Sequence, residues 1–321
     1  MATAVATPAW TRLAAEGPAP REDHTWTVDA ERQVAYLFGG RDGPTVHGDL
    51  WAYDLAGDAW TQVTTSSQPA GQPPSQPSAR FGHEAVWVDG IGLVIFAGQA
   101  GTTLFGDLWA YDPGTNAWSE LPSAGATPVA RYGTCAALGP DGRLWISHGF
   151  TSENARFADT RAYDFDAGSW TDLTPADGQR PVERCLHGCW FDDAGGLVLY
   201  AGQTTGVTAL GDRWRLADGA WTRLEVALPP DRNLYARAPV AGGTLIFGGQ
   251  GLDGLLSDLW LLPDGGGDAV PIDPGDGPVA RAGAELVSDT GRQRVLLFGG
   301  RGADGQLSDI WSLTGVALGS R

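Results

Sequence analysis

Short apolar stretches recur along the chain, and polar, glycine-rich segments separate them. In one unit, the apolar residues 36–38 are followed by Gly39 and Gly40, then by Asp-Leu-Trp-Ala-Tyr-Asp at 49–54, and finally by a lone Trp60. Stretches this short, bounded by turn residues, predict β-strands. Each unit has room for four of them.

The unit occurs six times, and each copy opens with Pro-x-x-Arg. The repeated arginines are Arg21, Arg80, Arg131, Arg184, Arg232 and Arg281. The repeated aspartates are Asp49, Asp107, Asp159, Asp212, Asp258 and Asp309. A period of 46 to 59 residues with four short strands per unit predicts an all-β, six-bladed β-propeller.

The count of fourth-strand tryptophans predicts how the ring closes. Trp60, Trp118, Trp170 and Trp221 end the first four copies, but no tryptophan follows Trp311 in the last copy. The missing strand is found at the other end of the chain, where Trp10-Thr11-Arg12-Leu13 matches residues 60–63. The N-terminal strand is therefore expected to close the last blade, which removes an unpaired strand edge at the seam.

We expect the whole chain, 1–321, to form one domain, because each blade of a propeller packs only on its neighbours. The predicted blades are approximately 21–63, 80–121, 131–173, 184–224, 232–272, and 281–313 together with 8–13.

The net charge of −17, carried by a chain without lysine, argues against nucleic acid as a partner. No apolar run is long enough to span a membrane, and the N-terminal residues lack the pattern of a signal peptide. Three cysteines do not indicate a disulfide framework. We therefore expect a cytoplasmic protein, and its composition is typical of a high-GC bacterial genome. No cofactor is required by the sequence.

These motifs resemble the Kelch family over nearly the whole chain, from Trp10 to Leu313. The likeness has local departures. Ala97-Gly98, His148-Gly149 and Ala201-Gly202 replace the glycine pair in three blades, and Arg161 stands where the first blade has Trp51. Blade five has no fourth-strand tryptophan. Such irregular blades are where a functional site is expected.

The Kelch resemblance implies a binding pocket at one mouth of the central channel, of the kind that captures an acidic peptide in an animal Kelch adaptor. The implied ligand-binding residues are the six repeated arginines together with Arg41, Gln99, Gln203, Gln250 and Arg301, and Phe150 lies at the equivalent position of blade three. Guanidinium groups suit a carboxylate or another small anion.

An alternative for each repeated arginine is an ion pair within the protein, with neighbours such as Glu22, Asp23, Glu183 or Asp231. The repeated aspartates are expected to fix turns by binding backbone N–H groups. The repeated tryptophans are expected to form the core between blades.

The candidate acid–base residues are Glu22, His24, His83, Glu84, Glu183 and His187, with Asp23 and Glu285 as further carboxyls. The sequence does not select among them, and Arg-x-x-His is also a common structural pattern in Kelch blades.

Cys185, His187 and Cys189 would share one face of a regular strand, since side chains alternate. Two thiols and an imidazole suit a soft metal. His148 or Cys135 would have to supply a further ligand. The alternative is that these residues are simply buried in the core.

Two classes of function therefore stay open. The first is a binding propeller without chemistry of its own, for a small anionic ligand or an acidic peptide. The second is a Kelch-type enzyme, isomerase-like (as in sialic acid mutarotases) or metal-assisted, acting on a small anionic substrate at the same mouth. The proline-rich segment 64–79 is expected to be either a surface insertion or a flap beside that mouth.

Overall fold

The computed structural model describes residues 7–14, 16–65, 75–151 and 155–319. It confirms the predicted fold, a six-bladed β-propeller with six sheets arranged in a ring. Besides strands, the described residues contain one short 3-10 helix, Asp264–Gly266. The extent of the domain, 1–321, stays a prediction.

Each blade is an antiparallel sheet of four strands, ordered from the inner strand outwards. Blade one consists of Thr25–Asp29, Val34–Phe38, Leu50–Asp54 and Ala59–Val63. Blade two consists of Glu84–Val88, Gly92–Phe96, Leu108–Asp112 and Ala117–Glu120. Blade three consists of Cys135–Leu138, Leu144–Phe150, Arg156–Asp164 and Ser169–Asp172.

The other three blades follow the same order. Blade four consists of Gly188–Phe191, Leu197–Thr204, Val207–Ala217 and Ala220–Arg223. Blade five consists of Ala236–Val240, Gly243–Gln250, Leu255–Pro263 and Val270–Ile272. Blade six consists of Glu285–Asp289, Arg294–Phe298, Ile310–Thr314 and the N-terminal strand Ala9–Leu13.

Short ribbons extend the second and third strands on one face of the ring. Separate ribbons in blades one, two and six are Arg41–Asp42 with Thr45–Val46, Gln99–Ala100 with Thr103–Leu104, and Arg301–Gly302 with Gly305–Gln306. In blades three to five the ribbon is continuous with the longer strands. Blade three also gains a parallel strand, Ala124–Gly125, beside its outer strand. We call the face that carries these ribbons and the loops between blades the loop face.

The core lies between neighbouring blades. In one cluster, Trp26 and Tyr53 of blade one pack against Phe298 of blade six. Trp170 of blade three similarly meets Phe96 of blade two at a centroid distance of 5.1 Å. Second strands such as Gly92–Phe96 are buried along their whole length because neighbouring blades cover both faces of each sheet. Each blade therefore depends on the next for burial of its core.

The seam is closed as predicted. Ala9–Leu13 pairs antiparallel with Ile310–Thr314, with Trp10 opposite Leu313. The Trp10 ring is 8% exposed and meets Phe247 of blade five edge to face at 5.6 Å. The first strand of the chain thus joins the last blade and also packs on the blade before it.

A buried ion pair recurs in every blade. The six pairs are Arg21–Asp49, Arg80–Asp107, Arg131–Asp159, Arg184–Asp212, Arg232–Asp258 and Arg281–Asp309. Both terminal guanidinium nitrogens bind the carboxylate, as in Arg80, whose two bonds to Asp107 measure 2.7 and 2.9 Å. The arginine side chains are at most 1% exposed. Such paired, two-pronged bonds fix both side chains in one geometry.

The same guanidinium also holds the strand turn of its blade. In blade one, Nη1 of Arg21 donates to the Gly39 carbonyl at 2.8 Å, and Nε donates to the Ala19 carbonyl at 3.0 Å. The Gly40 amide donates to the backbone carbonyl of Arg80 in the next blade. Gly39 has φ +68°, and a Cβ there would lie 2.5 Å from the backbone oxygen of Arg80 in the next blade. The glycine pair therefore lets two blades approach each other at the arginine.

The repeated aspartate also binds the side chain two positions later. The indole of Trp51 donates to Asp49 at 2.7 Å, and the other blades repeat this bond. In blade three, Arg161 replaces the tryptophan, and its Nε donates to Asp159 at 2.8 Å. The side chains of these aspartates thus bind arginine and tryptophan, which corrects the expectation that they bind backbone N–H groups.

A disulfide joins the inner strands of blades three and four. Cys135 and Cys189 are bonded, with their Cα atoms 5.6 Å apart and both side chains fully buried. The three cysteines did not indicate a disulfide framework, and the structure joins two of them in this single bond. Cys185 is the free, buried third cysteine.

The long proline-rich loop falls largely outside the described residues, which resume at Ser75. Its two described ends are joined by a hydrogen bond from the Thr65 hydroxyl to Gln76 Oε1 at 2.8 Å. Its role beside the mouth stays a prediction.

Replacement of Trp10 by Ala should lower the free energy of unfolding by about 3–5 kcal/mol, because a buried aromatic ring is lost at the seam. Deletion of residues 1–15 should cost at least as much, since it also exposes the edge of the last blade. Thr11→Ala, at an exposed position of the same strand, is the control. A truncated protein with an unchanged melting temperature would contradict the role of this strand.

Arg80→Ala should destabilise the protein by roughly 3 kcal/mol, the lower part of the range for broken buried pairs, because Asp107 is one quarter exposed. The control is Arg143→Ala, which removes the more exposed Arg143–Asp141 pair and should cost less than about 1 kcal/mol. Urea denaturation measures both changes. Equal stability of the two variants would show that the repeated pair is not structural.

Candidate functional site

The mouth of the channel on the loop face is built from two sets of residues. The residue after each repeated arginine forms a short bridge with the residue after the glycine pair of the same blade. These bridges are Glu22–Arg41, Phe81–Gln99, Tyr132–Phe150, Cys185–Gln203, Asn233–Gln250 and Ala282–Arg301. The sequence-predicted residues Arg41, Gln99, Phe150, Gln203, Gln250 and Arg301 are thus brought to one mouth, where each is partly exposed.

Charged and aromatic side chains form a continuous arc around this mouth. The arc begins in blade six with Arg301, which binds Glu22 of blade one at 3.0 Å. Arg41 lies over the Phe81 ring of blade two at 4.5 Å. We call the following set the mouth arc: Arg301, Glu22, Arg41, Phe81, Tyr132, Phe150 and Arg156.

The blade-three end of the arc is aromatic. The Phe81 and Tyr132 rings are 6.3 Å apart, and the Tyr132 and Phe150 rings are 5.3 Å apart. Arg156 lies 5.2 Å from the Phe150 ring, and its Nη1 donates to the Thr205 hydroxyl of blade four. Edge-to-face rings with guanidinium groups at both ends form a semi-rigid surface that suits a mixed polar and apolar ligand.

Four charged groups balance one another at the start of the arc. Glu22 is 4% exposed and lies between Arg41, at 3.3 Å, and Arg301, at 3.0 Å. Arg41 also reaches Asp23 at 3.3 Å. Burial raises the pKa of Asp23 to about 7, the charge of Glu22 adds to this rise, and the two arginines oppose it. Arg41 and Arg301 remain about one third exposed and can accept a further partner.

Immediately below the mouth, a ring of backbone hydrogen bonds narrows the channel. One residue from each blade donates its amide to the carbonyl of the neighbouring blade, over 2.7 to 3.2 Å. The members are Asp23, Gly82, Gly133, Leu186, Leu234 and Gly283, all with φ between +51° and +66°. We call this set the amide ring. Since every link closes on the adjacent blade, the ring separates the mouth from the channel beneath it.

The channel beneath the amide ring contains Glu84, Arg237 and Glu285, from blades two, five and six. Oε2 of Glu84 lies 3.7 Å from Nη2 of Arg237. Burial raises the pKa of Glu84 to about 7, which Arg237 and a backbone hydrogen bond from Ala136 oppose. Burial, together with the charge of Glu84, raises the pKa of Glu285 to about 8. Desolvation thus favours protonated carboxyls here.

The candidate histidines are buried rather than exposed at the mouth. His24, His83 and His187 are at most 6% exposed. His83 Nε2 lies 2.9 Å from the Thr25 hydroxyl. Burial lowers the pKa of His24 to about 3, and it lowers the pKa of His83 and His187 well below the usual value, with neighbouring positive charge adding to the effect. These imidazoles are therefore neutral parts of the core.

The six repeated arginines do not face a ligand. Their guanidinium groups are buried and bind the aspartate and two carbonyls of their own blade, as Arg21 does. Their assignment to an anion site is therefore corrected: the internal pairing that the sequence offered as an alternative holds, with the repeated aspartates as partners. Glu183 is exposed in the loop before Arg184, away from the mouth arc.

The proposed soft-metal set is also corrected. Cys189 is consumed in the disulfide with Cys135. Leu186 has φ +57°, so the backbone between Cys185 and His187 is not a regular strand and their side chains do not alternate as assumed. His148 stacks edge to face on His187 at 5.5 Å. Within the ranges that the structure describes, no group of three His, Cys, Asp or Glu is arranged to hold a metal ion.

Sequence reasoning missed Phe81, Tyr132 and Arg156 at the mouth and Arg237 in the channel. Phe81 and Tyr132 each directly follow a repeated arginine, so the alignment of the six copies held the signal. Arg237 stands where the other blades have Trp26, Ala85, Ala136, Cys189 and Leu286. A single charge at an otherwise uncharged repeat position was a visible sign of a special role.

The raised pKa values of Glu84 and Glu285 predict a pH-dependent stability. Above about pH 5 the unfolded carboxyls ionise, while the folded ones stay largely protonated up to about pH 7 for Glu84 and about pH 8 for Glu285. The folded state therefore binds more protons in this range, and stability falls as pH rises. Each full proton contributes about 1.4 kcal/mol per pH unit. The variant Glu84→Gln/Glu285→Gln should gain stability relative to the wild type as pH rises.

Urea titrations across this range measure the effect. The difference between variant and wild type isolates it from the buried histidines, whose lowered pKa values act in the opposite direction. Glu120→Gln/Glu225→Gln, at exposed sites, serves as the control. If the variant and the wild type show parallel curves, these carboxyls titrate normally.

The chain is similar to several curated proteins. It is 24% identical over 277 residues to Kelch domain-containing protein 10 of Xenopus tropicalis, which covers 80% of this chain and 64% of that protein. It is 30% identical over 203 residues to tRNA wybutosine-synthesizing protein 4 of Emericella nidulans, covering 58% of this chain and 18% of that protein. The chain thus spans less than two thirds of these relatives. Both come from eukaryotes, and the bacterial origin stays a prediction.

A profile described as the KLHDC2/KLHL20/DRC7 Kelch-repeats domain matches residues 2–202. That stretch contains the first three blades and the inner strand of the fourth. The match agrees with the repeated arginine, glycine-pair and tryptophan positions and with the six-bladed ring. The chain belongs to the Kelch-repeat family.

Proposed function

We propose that this Kelch propeller is a binding protein whose mouth arc receives a carboxylate-bearing segment of a partner, such as an acidic peptide, or a small anionic ligand. The observation that carries the proposal is the pair Arg41 and Arg301, which flank Glu22 at the mouth while each keeps about one third of its side chain exposed. The proposal moves the anion site from the repeated arginines to these two residues.

The exposed parts of Arg41 and Arg301 can bind a second carboxylate beside Glu22. Guanidinium groups have five N–H donors in a fixed plane, and Glu22 and Asp23 use only some of them. Glu22 binds both guanidinium groups and so holds them close to each other. A ligand carboxylate can therefore contact both guanidinium groups without rearrangement of the mouth. Such pre-organisation lowers the cost of binding.

The rest of the arc suits the part of a ligand beside its carboxylate. Tyr132 and Phe150 are partly exposed, and Gln99, Gln203 and Gln250 add amide groups around the same mouth. Phe81 is 8% exposed and supports the Arg41 guanidinium that lies over its ring. Aromatic and amide side chains bind peptide backbones and apolar side chains together. The arc therefore favours a peptide over a bare inorganic anion.

The enzymatic alternative receives less support at this mouth. Glu22 is held between two guanidinium groups, and His24, His83 and His187 are at most 6% exposed and do not belong to the mouth arc. An acid–base group must reach the reacting atoms of a substrate.

No helix in the described ranges is long and apolar enough to cross a membrane. The cytoplasmic location stays a prediction, and the Cys135–Cys189 disulfide bears on it because disulfides are rare in reducing compartments.

Peptides selected from a random display library on the purified protein test the proposal. We expect selected sequences to carry Asp or Glu beside an aromatic or aliphatic residue. Arg41→Ala/Arg301→Ala should weaken their binding about tenfold or more, the effect of losing charge-assisted hydrogen bonds. Raised salt should weaken binding of the wild type. Fluorescence polarisation of labelled peptides measures both effects.

The matched control is Arg32→Ala/Arg223→Ala, which removes the same charge from exposed sites outside the mouth arc. Peptides with Gln or Asn in place of the acidic residues separate carboxylate recognition from aromatic contacts. Selected peptides that bind the Arg41/Arg301 variant as tightly as the wild type would place the binding surface elsewhere.

A further inference from the structure

A cavity of about 490 Å³ occupies the channel on the other side of the amide ring from the mouth arc. Its wall extends from ring members such as Gly133 and Leu234 to Ala30 and Thr290, just beyond the far ends of two inner strands. The amide ring lies between this cavity and the mouth arc, so we expect a ligand of the cavity to enter from the opposite face. The cavity has a volume typical of small-molecule sites.

Arg237 crosses this cavity from blade five. Its Nη2 lies 3.7 Å from Glu84 of blade two and 3.5 Å from the Ala136 carbonyl of blade three. Gly188 of blade four leaves space for the Arg237 side chain. A Cβ at this position would lie 3.0 Å from the Arg237 Cδ and 2.5 Å from the Tyr235 hydroxyl. The guanidinium therefore reaches across the channel from blade five to blades two and three.

Glu285 faces the same cavity from blade six. Its carboxyl group makes no hydrogen bond or ion pair with any described residue. The charged groups that act on it are Glu84, Arg237 and Asp23, and His83 and His187 line the same cavity. The side chain is partly exposed where it lines the cavity, so its unpaired carboxyl is a group that a ligand can reach.

Asp23 supplies an independent sign of a ligand. Its side chain is only 7% exposed, and it belongs to the cavity wall at the amide ring. One carboxyl oxygen, Oδ2, binds Arg41, but Oδ1 is buried without any hydrogen-bond partner. An unpaired buried acceptor of this kind marks a place for a donor that the chain itself does not provide.

We propose that this cavity is a second binding site, for a small organic cation of the primary amine or guanidine class. Asp23 and Glu84 each have one guanidinium partner, Arg41 and Arg237, and Glu285 has none within the described residues, so the carboxyls at the cavity outnumber the positive charges. An ammonium or guanidinium group supplies the missing charge together with N–H donors. Trp26, Ala85 and Leu286 provide apolar wall for the carbon skeleton of the ligand.

Binding of a cation in this cavity is also coupled to the protonation of its carboxyl groups. The pKa values of Asp23, Glu84 and Glu285 are raised to about 7, 7 and 8, with burial as the main cause. A bound cation stabilises the ionised carboxyls and must displace their protons. Binding of an amine should therefore release protons near neutral pH and strengthen as pH rises, as long as the amine itself stays protonated.

Isothermal titration calorimetry with agmatine, putrescine and benzylamine tests the site on the full chain. We expect at least one probe to bind, with about tenfold tighter binding at about pH 8.5 than at about pH 6.5. Buffers of different ionisation enthalpy should show proton release. Glu285→Gln should weaken binding about tenfold or more, and Glu84→Gln/Glu285→Gln should abolish it.

Two control variants distinguish this site from the mouth arc and from surface charge. Arg156→Ala, at the end of the mouth arc away from Asp23, and Glu120→Gln/Glu225→Gln should both keep the wild-type affinity for the amine. Melting temperatures check that the glutamine variants fold. A peptide with a single lysine between glycines distinguishes a free amine from a partner's side chain: equal or tighter binding of the peptide would overturn the small-molecule assignment.

Other outcomes also decide the matter. If none of the three probes binds at millimolar concentration, the proposal is wrong. It is equally wrong if the amine binds but the Glu84→Gln/Glu285→Gln variant binds it as tightly as the wild type. These results do not decide the peptide experiment, because that experiment depends on Arg41 and Arg301 of the mouth arc, whereas this one depends on Glu84 and Glu285 on the other side of the amide ring.

Discussion

The buried arginine–aspartate pair is the interaction on which the rest of this propeller depends. Each guanidinium binds the third strand of its blade through the aspartate and the second strand through the glycine carbonyl, as Arg21 does with Asp49 and Gly39. The backbone carbonyl of the same arginine accepts the glycine amide of the preceding blade, as Arg80 does from Gly40. One residue thus orders its own blade and attaches it to its neighbour. A buried pair is costly to break, so six of them specify the ring.

Departures from the repeat preserve this interaction. Arg161 replaces a tryptophan yet binds the same aspartate, Asp159. Ala97, His148 and Ala201 replace the first glycine, but their carbonyls still accept the guanidinium hydrogen bond, and all three keep a positive φ. Such a backbone conformation is strained for residues other than glycine. The hydrogen bond from the arginine to the carbonyl at this position is therefore kept despite local backbone strain. The irregular blades keep the same arrangement as the others.

The fold could be predicted from the sequence because the motif that indicates a blade occurs six times. Six copies of the motif predict the blades, and a single unmatched tryptophan motif predicts the seam between Trp10 and the last blade, which the structure confirms. The site was harder to predict. Every copy contains both the arginine and the aspartate, as expected for a structural ion pair, but the Kelch resemblance suggested that the arginines bind a ligand. Cys135–Cys189 and the cross-channel contacts of Arg237 join different blades, and no periodicity within one copy contains such information.

The amide ring explains how one acidic chain can carry two surfaces of different charge. All six of its residues have left-handed backbone conformations. This lets each amide reach the carbonyl of the adjacent blade, so the hydrogen bonds form a closed ring around the channel axis. On the loop face, Arg41, Arg301 and Arg156 outnumber Glu22, the only carboxylate of the mouth arc; on the channel side, Glu84 and Glu285 outnumber Arg237. Asp23 belongs to the ring itself, with one oxygen on Arg41 and the other unpaired. Charge on either side of the ring therefore acts on this carboxyl, so ligands of opposite sign bound on the two sides are expected to influence each other's affinity through Asp23.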